Sequence, residues 1–245
     1  MALFAISDLH LALSVDKPMD VFGPRWADYM DRLKENWCSV VGEDDYVVVP
    51  GDVSWATYID RAHEDFRFIH ELPGRKIISK GNHDYWWTTM SKMEKFISRN
   101  GFTSISFMHN NSFSIKGVTI CGTRGWEIPG EAGFGAEDEK IYRRELQRLE
   151  MSLQKGLSDM SSDPAFANNA LIAALHYPPF NSRGEFSEFM DIMKKYGVQY
   201  CIYGHLHGEA CRIAVEGPVD GIMFRLVSAD HLRFMPEKLF GDSGQ

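Results

Sequence analysis

Long apolar runs are missing from this 245-residue chain, and none approaches the roughly 20 residues a helix needs to cross a bilayer. The opening MALFAIS has no basic flank, so neither a secretory signal nor a membrane anchor is expected there. Cysteine is scarce and scattered: Cys38, Cys121, Cys201 and Cys211 have neither zinc nor redox spacing. That excludes a disulfide scaffold or thiolate zinc cluster and fits small buried hydrophobes in a reducing compartment, so a cytoplasmic protein is expected. Positive charge is in deficit, with 26 Lys and Arg against 34 Asp and Glu for a formal charge of −8. With no basic cluster opposing that average, a nucleic-acid polymer is not an expected partner. No Gly/Ser/Pro-rich linker, repeat or low-complexity tract divides the chain, and residues 1–245 read as one domain.

What is present is a composition 44% hydrophobic, enough for a sizeable core, arranged as alternating strand-like and helix-like segments. Residues 3–7, 46–50, 75–79, 170–175 and 198–203 are short, apolar and rich in β-branched or aromatic side chains, as strands covered on both faces should be. Helical periodicity occupies 25–41, 60–71, 88–99, 138–156 and 185–196, so βαβ units and a largely parallel sheet are expected. A second group reads as hairpins: 112–123 around Lys116-Gly117, and 211–215 with 221–228 around Gly217-Pro218. The acidic, glycine-containing stretch 127–139 reads as a loop. Two packed sheets with helices outside would bury all of this.

Each of the five parallel-type strands runs into a polar cluster: Asp8 and His10, then Asp52, then Asn82-His83-Asp84, then His176, then His205 and His207. Gly81-Asn82-His83-Asp84 alone reads as well as a helix N-cap, followed by the aromatic run Tyr85-Trp86-Trp87. Side chains two apart on an extended segment point the same way, so Asp8 with His10, and His205 with His207, can each present two ligands to one side. Sites in α/β sheets form beyond the carboxyl ends of the strands, where all five clusters converge. Five of the nine histidines and two carboxylates otherwise buried unpaired suit metal cations. Oxygen and nitrogen donors without thiolate favour manganese, iron or zinc, and seven candidates exceed one ion's needs. Two ions bridged by a carboxylate suit displacement at phosphorus.

The ordered set Asp8-Leu9-His10, Gly51-Asp52, Gly81-Asn82-His83-Asp84, His176 and Gly204-His205-Leu206-His207 resembles the five blocks of the calcineurin-like metallophosphoesterase superfamily. The resemblance implies an α/β fold, a four-layer αββα sandwich of two mixed sheets flanked by helices, and two divalent or trivalent transition-metal ions. Asp8, His10 and His207 would hold one ion, Asn82, His176 and His205 the other, and Asp52 would bridge them. His83 would face the leaving group as general acid or charge stabiliser, and Asp84 would orient a neighbour from behind the ligands. A metal-bridging hydroxide would then attack phosphorus in line. Arg124 and Trp126, in Gly-Thr-Arg-Gly-Trp after a strand, are candidate substrate contacts, for phosphate and as a wall. His63, His70, His109 and His231 read as packing, as do Trp55, Trp86 and Trp87.

The expected activity is hydrolysis of a small-molecule phosphoester, a phosphodiester or nucleotide-like compound. Alternatives are a phosphomonoesterase or protein phosphatase, and a non-catalytic scaffold on the same fold. Protein Ser/Thr phosphatases resemble Gly-Asp-x-Val-Asp-Arg-Gly and Gly-Asn-His-Glu, whereas this chain has GDVSWAT and Asp84. Pyrophosphatases of the lipid A pathway resemble Gly-Asn-Arg-Asp, and here His83 stands in the arginine's place. An amidohydrolase would resemble His-x-His on its first strand, where this chain has Asp-x-His.

Overall fold

The computed structural model describes residues 1–241, which fall into two compact units: residues 1–107 with 227 onward, and residues 108–226. Each is a mixed sheet with helices, and the two sheets have five and six strands. These are the components of the expected αββα sandwich.

In the first unit, strands β1 (Leu3–Ala5), β2 (Tyr46–Pro50), β3 (Arg75–Ser79) and β4 (Ile105–Phe107) lie side by side and parallel. β11 (Glu237–Phe240) closes the far edge antiparallel to β1. β2 and β3 match the expected spans, while β1 stops at Ala5, before the extended segment expected to reach residue 7. Neither β4 nor β11 is among the expected strands. Helices α1 (Tyr29–Val40), α2 (His63–Glu71) and α3 (Met90–Asn100) cover the sheet. α1 buries Tyr29, Leu33 and Trp37 at four-residue spacing, the stripe a 3.6-residue period presents to a core. That core joins them to Val47, Val49, Phe66, Ile69, Ile78, Trp86 and Phe96.

The second unit orders its strands β5-β6-β7-β8-β10-β9. β6 (Val118–Thr123), β7 (Ala170–Leu175), β8 (Tyr200–Tyr203) and β10 (Ile222–Leu226) are parallel neighbours. β5 (Ser112–Ile115) forms the expected hairpin with β6. The second hairpin is displaced from expectation: residues 208–213 form a 3₁₀ helix, and β9 (Gly217–Val219) pairs with β10 around Asp220-Gly221. Pro218, expected in the turn, sits instead on the sheet's edge strand, where its missing N–H costs no ladder bond.

Helix α4 (Ala136–Ser162) starts inside the segment expected to be loop and runs past the expected end at 156. Its first turn carries Glu137, Asp138 and Glu139, acids that favour a helix N-terminus, and Asp138 accepts the Gly135 N–H at 3.0 Å. Tyr142, Leu146, Leu149 and Leu153 face the core, and α5 (Glu188–Lys195) adds Phe189, Met190 and Met193.

Candidate metal centre

In the first unit the loops after three adjacent parallel strands bring Asp8, Asp52 and Asn82-His83 to one edge of the sheet. Asp8, His10 and Asp52 are almost fully buried. A ligand atom of Asp8 lies within 4.8 Å of one from His10 and of one from Asp52. His10 Nε2 is 3.8 Å from Asp52 Oδ2, and Asp52 Oδ1 accepts the His83 N–H at 2.8 Å.

The pairing of Asp8 with His10 has a different origin from the one expected. Both lie in left-handed backbone, at φ 59° and 46°, as do Asp52 at 52° and His205 at 72°. A left-handed turn after the strand, not the alternation of a pleat, aims the two side chains together. The ladder holding these turns is backbone: Asp8 N–H to Gly51 O at 3.0 Å, His10 N–H to Asp52 O at 2.9 Å and Leu11 N–H to Val53 O at 2.9 Å. Tyr29, which sequence reading passes over, donates its hydroxyl to His10 O at 2.8 Å. Ser7 donates its hydroxyl to Asp8 Oδ2.

Asp84 lies behind this set, fully buried, and takes five N–H donors: Asp52 and Gly81 on Oδ2, and Val53, Ser54 and the Trp86 indole on Oδ1. Burial pushes its pKa up, while those hydrogen bonds pull it back. A protonated carboxyl would need an acceptor for its own hydrogen, so a cage made of donors fits the anion. Gly81 is required here, because a Cβ on it would fall 2.1 Å from Asp52 Oδ1 and 2.2 Å from Asp52 N.

Trp55 stacks on His10 at 4.9 Å and 21° and packs 4.4 Å from the His83 ring. Lys17 Nζ also sits 3.0 Å over the Trp55 ring, and Trp86 is buried in the core. Two partners therefore already cover Trp55. Tyr85, 62% exposed and 6.2 Å from the His83 ring, is the aromatic beside a ligand block that faces solvent. His63 and His70 stand off the ligand loops, bonded to Glu64 and Ser104, each at 2.8 Å.

In the second unit Arg124, His176 and Gly204-His205 follow adjacent parallel strands in the same manner. His176 is buried, its N–H bonded to Arg124 O at 3.0 Å, and its ring lies 5.2 Å from that of His205. Tyr177 packs on His205 at 4.2 Å and on Trp126 at 5.2 Å. His207 opens the 208–213 turn. The Arg124 guanidinium lies 3.5 Å from buried Glu145 and 4.2 Å over the Trp126 ring. Trp126, Glu127, Glu131, Tyr177 and His205 line a cavity of about 210 Å³.

The donor chemistry fits divalent cations. Asp8 and Asp52 bring carboxylate oxygens within 4.8 Å of each other in a buried setting, where two like charges repel by several kcal/mol unless cations share the site. Among the described residues no helix is long and apolar enough to cross a membrane.

The sequence matches the model of calcineurin-like phosphoesterases over residues 1–209. The chain belongs to that family, whose members depend on two metal ions, and is a metal-dependent phosphoesterase. Solved structures share its fold at low identity. A phosphopantetheinyl hydrolase from Mycobacterium tuberculosis is 16% identical with a TM-score of 0.54, covering 98% of this chain and 96% of its own. A protein from Thermus thermophilus is 11% identical with a TM-score of 0.53 and 96% of each chain covered. A protein of unknown function from Aquifex aeolicus is 17% identical with a TM-score of 0.50, covering 97% of this chain and 95% of its own. No curated protein matches.

Proposed function

We propose that the chain is a binuclear hydrolase of small phosphodiesters, acting as one domain over residues 1–245. Asp8, His10 and His207 would hold one ion, Asn82, His176 and His205 the other, and Asp52 would be shared between them; manganese, iron and zinc all suit these donors. When bound, the ions supply a Lewis-acid charge for the phosphoryl oxygens and acidify water to a nucleophile. The chain's own contribution is to hold its groups in register around the reacting phosphorus. Asp52 takes the His83 N–H on Oδ1, which anchors that histidine to the bridging carboxylate, and this contact carries the reading. Trp55 packs on the His83 ring and limits its motion. From there His83 delivers a proton to the departing ester oxygen, in line with attack from the opposite face. Asp84 fixes the backbone of Asp52 through the N–H cage and takes no part in proton transfer.

Small diesters are favoured over phosphoproteins and polyanions by Asp84 in place of glutamate and by the acidic formal charge of −8. Neither Trp55, already covered by His10 and Lys17, nor core Trp86 offers an open face on which a flat base could stack. The protein as purified, with added Mn²⁺, should be assayed on bis(4-nitrophenyl) phosphate, 4-nitrophenyl phosphate, a cyclic nucleotide, a phosphopantetheinyl peptide and a phosphopeptide. The diesters should lead. A monoester or phosphopeptide ahead by about tenfold or more in kcat/KM overturns the diester preference, and no turnover of any ester overturns the catalytic reading in favour of a scaffold.

A further inference from the structure

We infer that Asp65 is a positioning residue that clasps together the loops bearing His10 and Asp52. It sits on α2, among helix residues that look like solvent-facing charge, yet its side chain is fully buried. Oδ1 accepts the Leu13 N–H at 2.8 Å, and Oδ2 accepts the Ser54 hydroxyl. Leu13 lies three residues after His10 and Ser54 two after Asp52. Ser54 Oγ in turn accepts the Ala56 N–H at 3.1 Å.

The two loops run as a short parallel ladder through Leu11 N–H to Val53 O and Trp55 N–H to Leu11 O, with Leu11 and Ser54 as its bridge pair. Beyond Trp55 no further backbone rung joins the two loops among the described residues. Asp65 spans the gap from the helix side, one oxygen to each loop. Its helix neighbours Phe66 and Ile69 are apolar and buried, so packing alone would be served by another hydrophobe. A buried carboxylate costs several kcal/mol to desolvate, and both hydrogen bonds that offset this go to the ligand loops. Geometry is what those bonds supply: the ligand atoms of His10 and Asp52 must keep an ion's spacing, which a drift of a few tenths of an ångström spoils.

The inference rests on His10 and Asp52 being metal ligands, and the test separates the two claims. Mn²⁺ binding to the metal-stripped full-length protein is measured by titration calorimetry for the native chain, Asp65→Ala, Asp65→Asn, Ser54→Ala and a control, Ile69→Ala. Asp65→Ala should weaken Mn²⁺ binding about tenfold or more, in the range seen for partners behind metal ligands. Asp65→Asn, which still accepts from Leu13 and can donate to Ser54 Oγ, should stay within about threefold of native. Ser54→Ala should fall between them, and it reports on the clasp if Asp65→Ala does not fold. Ile69→Ala lowers stability from the same helix, but affinity for the folded state does not follow stability while unfolded chain is rare, so its Mn²⁺ affinity should be native. Native affinity in both Asp65→Ala and Ser54→Ala overturns the clasp, as does equal weakening in Asp65→Ala and Ile69→Ala. Asp65→Asn as weak as Asp65→Ala overturns it in favour of a role for charge. A native chain that binds no Mn²⁺ overturns the ligand assignment and the clasp with it.

Discussion

Asp84 accepts the backbone N–H of Asp52 on Oδ2 at 2.9 Å, so a carboxylate with no solvent exposure sets the main chain of the residue proposed to bridge the metals. Asp84→Asn puts an amide –NH₂ where an oxygen took N–H donors, leaving two or three of the five unmatched. Buried donors without acceptors cost about 1–3 kcal/mol each. We expect the urea midpoint to fall by the equivalent of about 3 kcal/mol. Metal content by elemental analysis should drop with it, and a native-like midpoint would show that the cage tolerates a neutral group.

Gly81→Ala tests the same spot by crowding. The new methyl meets Asp52 backbone and carboxylate, which cannot both retreat without moving His83. Overpacking of this sort costs about 1–3 kcal/mol, and here the displaced atoms are the ligand and its neighbour. Mn²⁺ affinity and kcat should both fall; a fully active Gly81→Ala enzyme contradicts this geometry.

His83 and His205 should separate in mutagenesis. His83→Ala removes the proposed proton donor and should lower kcat by about 10² or more with metal content nearly native. His205→Ala should lose metal. The His83 deficit should be larger for alkyl esters than for nitrophenyl esters, whose leaving group needs little protonation. Equal metal loss in both variants would refute the division of roles.

Lys76 offers a pH test away from the ligands. Its buried ammonium caps the end of α2, donating to Leu72 O, and burial pushes its pKa down to about 8 from 10.5. Between those values the unfolded chain holds the extra proton, so this lysine destabilises the fold fully below pH 8 and the cost is relieved as pH rises towards 10.5. The relief amounts to about 3 kcal/mol over the window. Unfolding free energies of the native chain minus those of Lys76→Met should therefore climb from pH 8 to 10. A flat difference would place the ammonium in contact with water.

The parallel strands and their terminal clusters were legible because Tyr46–Pro50 and Ala170–Leu175 are uninterrupted apolar runs, and Ile77-Ile78 a shorter one within Arg75–Ser79, each followed within two residues by a polar one. Three-residue β4 carries too little pattern to see, and β11 pairs with β1 across most of the chain. Residues 211–215 look like a strand because Ile213 and Val215 are β-branched, yet the chain turns there, and exposed Arg212 and Ile213 bury little. Asp65 and Tyr29 were invisible as site residues because their partners are backbone and hydroxyl groups of distant loops. The available signal was a carboxylate four residues before Ile69, on the apolar stripe of α2.

Left-handed backbone at Asp8, His10, Asp52 and His205 limits what mutagenesis can teach at these positions. Asparagine and glycine occupy that conformation with little penalty, whereas valine, isoleucine or threonine meet a steric cost before any question of chemistry arises. A library selected only for folded, soluble protein would already be enriched in Asp, Asn and Gly at residues 8 and 52. Such a profile looks like selection for catalysis, although backbone angle alone produces it.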